Sequence, residues 1–219
     1  SSAAQMCIRD SKAPITAIAL NCENNRDERS RYLLVENRKV ENYVDMALYY
    51  ARMDAVYKDY MIAETNLQEV AQQVLLQNKY YLIQSHVKAE VACPDTVYSD
   101  KKWIAFILNQ LIQNSVKYGR SEGTHIQIVT KKTKSGVLLR VKDDGIGIPK
   151  EELPRIFEKG FTGTNGRNRE RSTGMGLYLC RKLCDKLNIE IRAESAEGKG
   201  TEIILMFPVS DYLTGYRET

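Results

Sequence analysis

Two clusters of side chains carry the chemistry of this sequence. The first is Val141-Lys142-Asp143-Asp144-Gly145-Ile146-Gly147-Ile148-Pro149, where an apolar run from Gly136 to Val141 delivers two carboxylates into a Gly-x-Gly turn. Glycine lets a backbone take positive φ and come close to a ligand. A carboxylate at a strand end, beside such a turn, can accept a hydrogen bond from the exocyclic amine of a purine. Asp-Asp-Gly is also an ordinary hairpin or loop signal, so the turn alone decides nothing. The second cluster is Gln110, Asn114, Lys117 and Tyr118, spaced i, i+4, i+7 and i+8. On a helix those spacings share a stripe. An Asn amide oxygen is a hard ligand suited to Mg²⁺, which divides its coordination among protein, phosphates and water. A Lys one turn on can reach a phosphate, and a Tyr can cover a base. A polar helix face without a role has the same pattern. Here, however, Trp103, Ile104, Ile107, Leu108, Leu111 and Ile112 already supply a core-facing stripe.

Those clusters need elements to hold them. Lys101 to Tyr118 reads as a helix, capped from Asp100 and stopped by Gly119. Ile126 to Lys132 and Gly136 to Val141 read as a hairpin. Ahead of them, Val56 to Ala63 reads as a strand, and Asn66 caps a helix from Leu67 to about Asn78. His86 to Ala92 alternates as a half-buried strand, and Val97 to Asp100 is a short strand with a cap. Lys150 to Phe157 reads as a short helix. Lys159 to Thr173 has no periodicity, and a loop of that length in a compact domain is usually functional or disordered. Gly174 to Leu187 is a helix with Leu177, Leu179, Leu183 and Leu187 as its main apolar residues. Ile189 to Ser195 and Thr201 to Pro208 are the last strands, joined at Gly198-Lys199-Gly200. From residue 56 to 209 this is a mixed sheet with helices collected on one face, an α+β sandwich. Residues 210–219 read as a tail.

The first 55 residues have a different rhythm. Ile15, Ile18, Ala19 and Cys22 fall on one face of a helix opening at Lys12. After a polar turn from Asn24 to Arg29, Ser30 to Asp54 reads as a long helix, with Leu33, Val40, Val44, Ala47 and Ala51 near a heptad seam. Two such helices are too small to bury their apolar faces alone, and a second copy would complete a four-helix bundle.

Composition sets the outer bounds. The 219 residues are 43% hydrophobic and 27% charged, enough for one domain plus a smaller helical piece. A net charge of +4 is too mild to argue for nucleic acid. Five scattered cysteines argue against a disulfide framework and for a reducing compartment. Cys180 and Cys184, one helical turn apart, read as small buried apolar residues rather than metal ligands. No stretch approaches the roughly 20 apolar residues of a membrane span.

Five segments resemble, in order, the motifs of sensor histidine kinases. Leu-Asn-Gln-Leu-Ile-Gln-Asn-Ser-Val-Lys-Tyr (108–118) resembles their N box, and Val141 to Pro149 their first glycine box. Arg-Ile-Phe-Glu-Lys-Gly-Phe (155–161) is similar to their F box, Gly-Met-Gly-Leu (174–177) to the second glycine box, and Gly-Lys-Gly-Thr (198–201) to the closing glycine turn. The gap between the third and fourth has the length of a lid. The wording Lys-Ala-Pro-Ile (12–15), with residues 152–163, is similar to the peptide-antibiotic-sensing (bacitracin-type) kinases of Gram-positive bacteria.

The resemblance implies a Bergerat-type ATP-binding fold behind a dimerising helical hairpin. It assigns Asp143 to the adenine amine and Gly145 and Gly147 to close approach of the nucleotide. Asn114 would hold Mg²⁺, with Lys117 on the phosphates and Tyr118 near the base. Gly174, Gly176 and Leu177 would set a helix N-terminus near the phosphates, where the dipole favours anions. Lys159, Arg167, Arg169 and Arg171 fall in the lid, as phosphate contacts or solvated loop charges, while Phe157 and Phe161 would hinge and pack it. Thr201 is expected to support Asp143 through its hydroxyl. The implied partners are a second copy, through the hairpin, and the receiver domain of a response regulator. The implied location is the cytoplasmic part of a membrane sensor whose spans lie upstream.

Two positions depart from the family pattern. Related ATPases that hydrolyse ATP with water carry a Glu four residues before the metal Asn; here it is Gln110, whose amide cannot take a proton from water, so intrinsic hydrolysis should be slow. The family's phosphoacceptor is a His followed by an acidic residue and then x-Lys-x-Pro. Reading back from Lys12-Ala13-Pro14, the acidic position is Asp10 and the acceptor position is Arg9, which cannot serve as nucleophile. His86 and His125, on or beside strands, lack the acceptor context. The chain as written should not phosphorylate itself, and a truncated or non-native start is expected. Two other functions compete: a serine kinase of the anti-sigma type, which would not need the hairpin, and a nucleotide-binding pseudokinase that docks a regulator without transferring phosphate, which Arg9 favours.

Overall fold

The structure is a computed structural model that describes residues 10–25, 27–52, 61–164 and 173–209. The chain divides into two compact units, one holding the N-terminal helices with residues 78–81, the other Met61–Gln77 and the chain from Leu82 on.

In the first unit, α1 (Lys12–Asn24) and α2 (Glu28–Arg52) pack as an antiparallel hairpin. Asn37 Nδ2 donates to the Ile15 carbonyl (2.8 Å), and Lys12 pairs with Asp45 further along α2. At the turn, Asp27 Oδ1 accepts the Ser30 N–H. The expected seam of α2 lies largely in the open: Leu33 and Val40 are 42% and 49% exposed, and Ala47 and Ala51 are exposed too. The buried apolar residues of α2 are instead Leu34, Val35, Met46, Leu48 and Tyr49. In α1, Ile15 and Cys22 are buried while Ile18 is exposed. Period alone finds an apolar stripe; it does not say which neighbour covers it.

The second unit is built on a five-stranded mixed sheet, in the order β2-β4-β5-β7-β6: β2 (Val87–Ala92), β4 (Thr124–Thr133), β5 (Gly136–Asp143), β7 (Thr201–Pro208) and β6 (Glu190–Ser195). Only the β2–β4 pair is parallel. A separate two-stranded ribbon pairs β1 (Ala63–Asn66) with β3 (Thr96–Ser99). The helices α3 (Leu67–Gln77), α5 (Lys101–Lys117) and α6 (Gly176–Lys186) cover one face; a short α4 (Lys79–Gln84) follows α3. Strand residues alternate accordingly: Val137, Leu139 and Val141 are buried, while Leu138, Arg140 and Lys142 between them are not. This is the expected α+β sandwich with helices on one face.

Helix α5 is the centre of the core, with Ile104, Ile107, Leu108 and Ile112 fully buried. Asp100 starts it. Its Oδ1 accepts the Lys102 and Trp103 N–H groups, and its Oδ2 accepts the Met61 N–H (2.9 Å). Asn66 caps α3 through the Glu69 N–H, as its position predicts.

Three expected elements differ. The strand read over Val56 to Ala63 begins only at Ala63; residues 61 and 62 are irregular, and 56–60 lie outside the described residues. The helix read over Lys150 to Phe157 shrinks to a 3-10 turn, Leu153–Arg155, because Pro154 supplies no N–H for a longer ladder. Helix α6 starts at Gly176, since Gly174 sits at φ +65°, outside helical space. His86 occupies a left-handed turn (φ +53°), and His125, on β4, faces Glu90 of β2 (3.2 Å). Cys180 and Cys184 are fully buried, and burial pushes the Cys184 thiol up to about 12.

Candidate nucleotide site

A cleft opens between α5, the ends of β5 and β7, the turn after β5 and the start of α6. Its walls are apolar: Leu111, Val141, Ile148, Ile156, Leu177 and Ile203. On its lining sits one nearly buried carboxylate, Asp143, 9% exposed at the C-terminal end of the central strand. Asp143 Oδ1 accepts the backbone N–H groups of Gly145 (3.0 Å) and Thr201 (3.2 Å), and Oδ2 accepts the Ser115 hydroxyl (2.8 Å). Burial raises the Asp143 carboxyl above the usual aspartate range; the three donors oppose that rise, and the neighbouring Asp144 adds to it. Asp144 itself turns away and accepts the His125 N–H (2.7 Å).

The turn that presents Asp143 is held by backbone. Ile146 N–H donates to the Tyr118 carbonyl (3.0 Å), and Gly198 N–H donates to the Ile146 carbonyl (2.7 Å). Arg120 fastens the same three segments, donating to the carbonyls of Asp144 and Gly198. Two glycines are needed because protein backbone comes close. A Cβ on Gly145 would lie 2.5 Å from the Tyr118 carbonyl oxygen, and one on Gly147 (φ +71°) 2.0 Å from that of Ala196. Of the two, only Gly147 also lines the cleft.

Helix α5 faces the cleft with Leu111, Asn114, Ser115 and Tyr118. That stripe is rotated from the one read in the sequence. At about 100° per residue, Gln110 and Lys117 fall together on the flank, roughly a quarter-turn from its centre. Gln110 is 4% exposed and its Oε1 would lie 2.9 Å from a Cβ on Gly176, so its side chain sits under the first residue of α6. Lys117 is half-buried on the same flank. Ser115 is a cleft residue that the i, i+4, i+7, i+8 spacing does not pick out. The available signal was its spacing: i+4 from Leu111 and beside Asn114, it lies on the azimuth that a ligand-facing stripe would take.

Thr201 supports Asp143 through its backbone N–H; its hydroxyl pairs instead with Ser195 Oγ (3.0 Å). The antiparallel register opposes Thr201 to Asp143, which leaves its N–H, not its side chain, nearest the carboxylate. Phe161 lines the cleft with the Arg155 guanidinium over its ring (4.7 Å), and Leu177 lines it from α6. Lys159 is exposed on the preceding turn. Glu152 Oε1 accepts both the N–H and the hydroxyl of Thr164 (2.8 and 2.7 Å), and Gly160 N–H donates to the Gly174 carbonyl (3.0 Å). A Cβ on Gly174 would lie 2.4 Å from the Gly160 carbonyl carbon, so this contact needs glycine. Arg167, Arg169, Arg171 and Arg9 lie outside the described residues.

The cleft suits a flat, largely apolar ring carrying one hydrogen-bond donor for Asp143. Residues 99–211 match the family described as histidine kinase-, DNA gyrase B-, and HSP90-like ATPase. Over 210 residues the chain is 35% identical to the sensor protein kinase GraS of Staphylococcus aureus, covering 93% of this chain and 59% of GraS. It therefore spans about three-fifths of the length of that relative. The nucleotide-free catalytic domain of histidine kinase ThkA is 26% identical, with a TM-score of 0.58 over 68% of this chain and 97% of that one. Histidine kinase ThkA in complex with the response regulator protein TrrA shares the fold over 96% of this chain and 61% of that one, with a TM-score of 0.59 at 19% identity.

Proposed function

The chain belongs to the histidine kinase-, DNA gyrase B-, and HSP90-like ATPases, and from that membership we propose that it is the ATP-binding kinase core of a sensor histidine kinase. The observation that carries this reading is the Asp143 carboxylate, held by three donors in an apolar cleft. An ionised carboxylate with a remaining lone pair accepts the 6-amino group of adenine, and the apolar walls sandwich the ring.

Asn114, on the cleft-facing stripe, is the residue that would hold Mg²⁺ by its amide oxygen. The donor set fits a cation shared with phosphates. Asn114 supplies one protein oxygen, and phosphate oxygens and water would complete the shell. Bound Mg²⁺ neutralises charge on the transferring phosphoryl group. The first turn of α6 starts at Gly176 without a capping side chain on Met175, and its N-terminal end favours anions. Tyr118 flanks the base; Lys117 and Lys159 lie further out, as cations for the phosphates.

In the complete system the γ-phosphoryl group passes to a His and then to an Asp on a receiver domain. The ThkA–TrrA complex supports a response regulator as partner. The exposed α2 seam supports dimerisation through the hairpin, and the kinship to GraS supports a place on the cytoplasmic side of a sensor. In this sequence the acceptor position is Arg9, so the chain binds ATP without labelling itself.

Calorimetry tests the reading. ATP should bind in a magnesium-dependent way, and Asp143→Ala should abolish that binding; unchanged affinity in the variant would refute the site. Arg9→His with ATP and Mg²⁺ should then yield acid-labile phosphate.

A further inference from the structure

Ser115 stands apart from the residues that the family motifs assign. It is 5% exposed, lines the cleft one position beyond Asn114, and gives its hydroxyl proton to Asp143 Oδ2 at 2.8 Å. The two backbone donors, Gly145 and Thr201, both go to Oδ1. Ser115 is therefore the one described side chain donating to the oxygen that the backbone leaves open. We propose that Ser115 is a positioning residue that fixes Asp143 Oδ2 as an acceptor facing the base, and so sets the preference for 6-amino over 6-oxo purine nucleotides.

The chemistry follows from donor and acceptor counting. A hydroxyl that donates to Oδ2 spends its single proton there, so neither partner has a hydrogen left to offer the cleft. What the base meets at this point is an acceptor. Adenine presents an N–H at position 6 and is satisfied. Hypoxanthine or guanine presents a carbonyl oxygen, and two acceptors are forced together in a poorly solvated place. Without the hydroxyl, the side of Asp143 carrying Oδ2 has no described donor, and the carboxyl is freer to rotate about its last bond or to keep a proton. Either change weakens the contact with a 6-amino group. Either also lessens the conflict with a 6-oxo group. A site that hydrogen-bonds a substrate group discriminates because its own buried polar atoms are stranded by the wrong substrate, and Ser115 holds one such atom in place.

This inference rests on the assignment of Asp143 to the base, and the experiment separates the two. Affinities of the 219-residue chain for ATP and for ITP, with Mg²⁺, are measured by calorimetry for wild type, Ser115→Ala, Ser115→Thr and Asp143→Asn. Thermal melting of each variant checks that it folds. In Ser115→Ala, ATP affinity should fall about tenfold while ITP affinity changes less than about twofold, the scale of losing one hydrogen bond to a charged group. Ser115→Thr keeps the hydroxyl and should restore most of the ATP-to-ITP ratio. Asp143→Asn places an amide where it can donate to a 6-oxo group, and should lower the ratio further than Ser115→Ala. An equal loss for both nucleotides in Ser115→Ala, or no loss, overturns the Ser115 inference while leaving Asp143 in place. Wild-type ATP affinity in Asp143→Asn overturns both.

Discussion

Asp143 carries opposing demands. Its burial disfavours the charge that base recognition uses, and the carboxyl is raised above the 3.8 of an ordinary aspartate. The sign for stability follows from linkage. A carboxyl whose folded-state pKa exceeds its unfolded value binds more protons when folded, so its contribution to stability falls as pH rises through that window. At neutral pH the charge is a cost to the free protein. Asp143→Asn keeps an acceptor for the Gly145 and Thr201 N–H groups and offers an N–H to the Ser115 oxygen. We expect it to melt at or above the wild-type temperature while losing ATP binding. For wild type, the ratio of ATP to ITP affinity should fall on acidification, as the Asp143 carboxylate takes up a proton and becomes able to donate to a 6-oxo group; a ratio that does not change with pH would contradict a role for its charge. This residue was legible in the sequence because a carboxylate followed by Gly-x-Gly is a local pattern. Ser115 and the backbone N–H of Thr201 were not, because both reach Asp143 only across the fold.

The elements that set the site are α5 and the turns after β5 and before β7. The Asp100 carboxylate joins the start of α5 to Met61 and is 5% exposed. Asp100→Ala should lower unfolding free energy by about 1–2 kcal/mol, as for loss of a helix cap, seen as a lower urea midpoint with unchanged slope. The glycine turns offer a sharper contrast. Gly147 and Gly198 have almost the same positive φ, +71° and +75°, yet a Cβ meets backbone at 2.0 Å in the first and nothing within 4 Å in the second. Gly198→Ala should cost only the conformational term, about 1–2 kcal/mol. Gly147→Ala must also displace the Ala196 turn, so it should cost more and take ATP binding with it. Equal melting temperatures for the two variants would show that the close approach is not what requires glycine at 147. The sequence placed both glycines in turns; it assigned Gly145 and Gly147 to the nucleotide, whereas their nearest crowding neighbours are the carbonyls of Tyr118 and Ala196.

For the whole molecule, the exposed apolar side of the hairpin has the largest consequence. Leu33, Val40 and Tyr43 on α2 are each more than 40% exposed. Light scattering should give about twice the 25.0 kDa of the chain. Val40→Glu should yield a monomer with unchanged ATP affinity, because a charge at a half-exposed position does not disturb the fold of one copy. A dimer that survives this change would place the contact elsewhere. Gln110 should keep ATP turnover slow, with phosphate release near background; rapid release would reverse that expectation.

Residue types and short-range spacing sufficed for the sandwich, the capped central helix, the hairpin and the Asp143 turn. Each is dictated by local periodicity, by caps or by glycine chemistry, all of which act over a few residues. Tertiary packing decided the rest: which azimuth of α5 faces the cleft, why Gln110 lies under Gly176, which oxygen of Asp143 Ser115 holds, and which stripe of α2 is left uncovered. A helix period fixes the angles between side chains but leaves the rotation of the helix free, and only its neighbours, distant in sequence, set that angle.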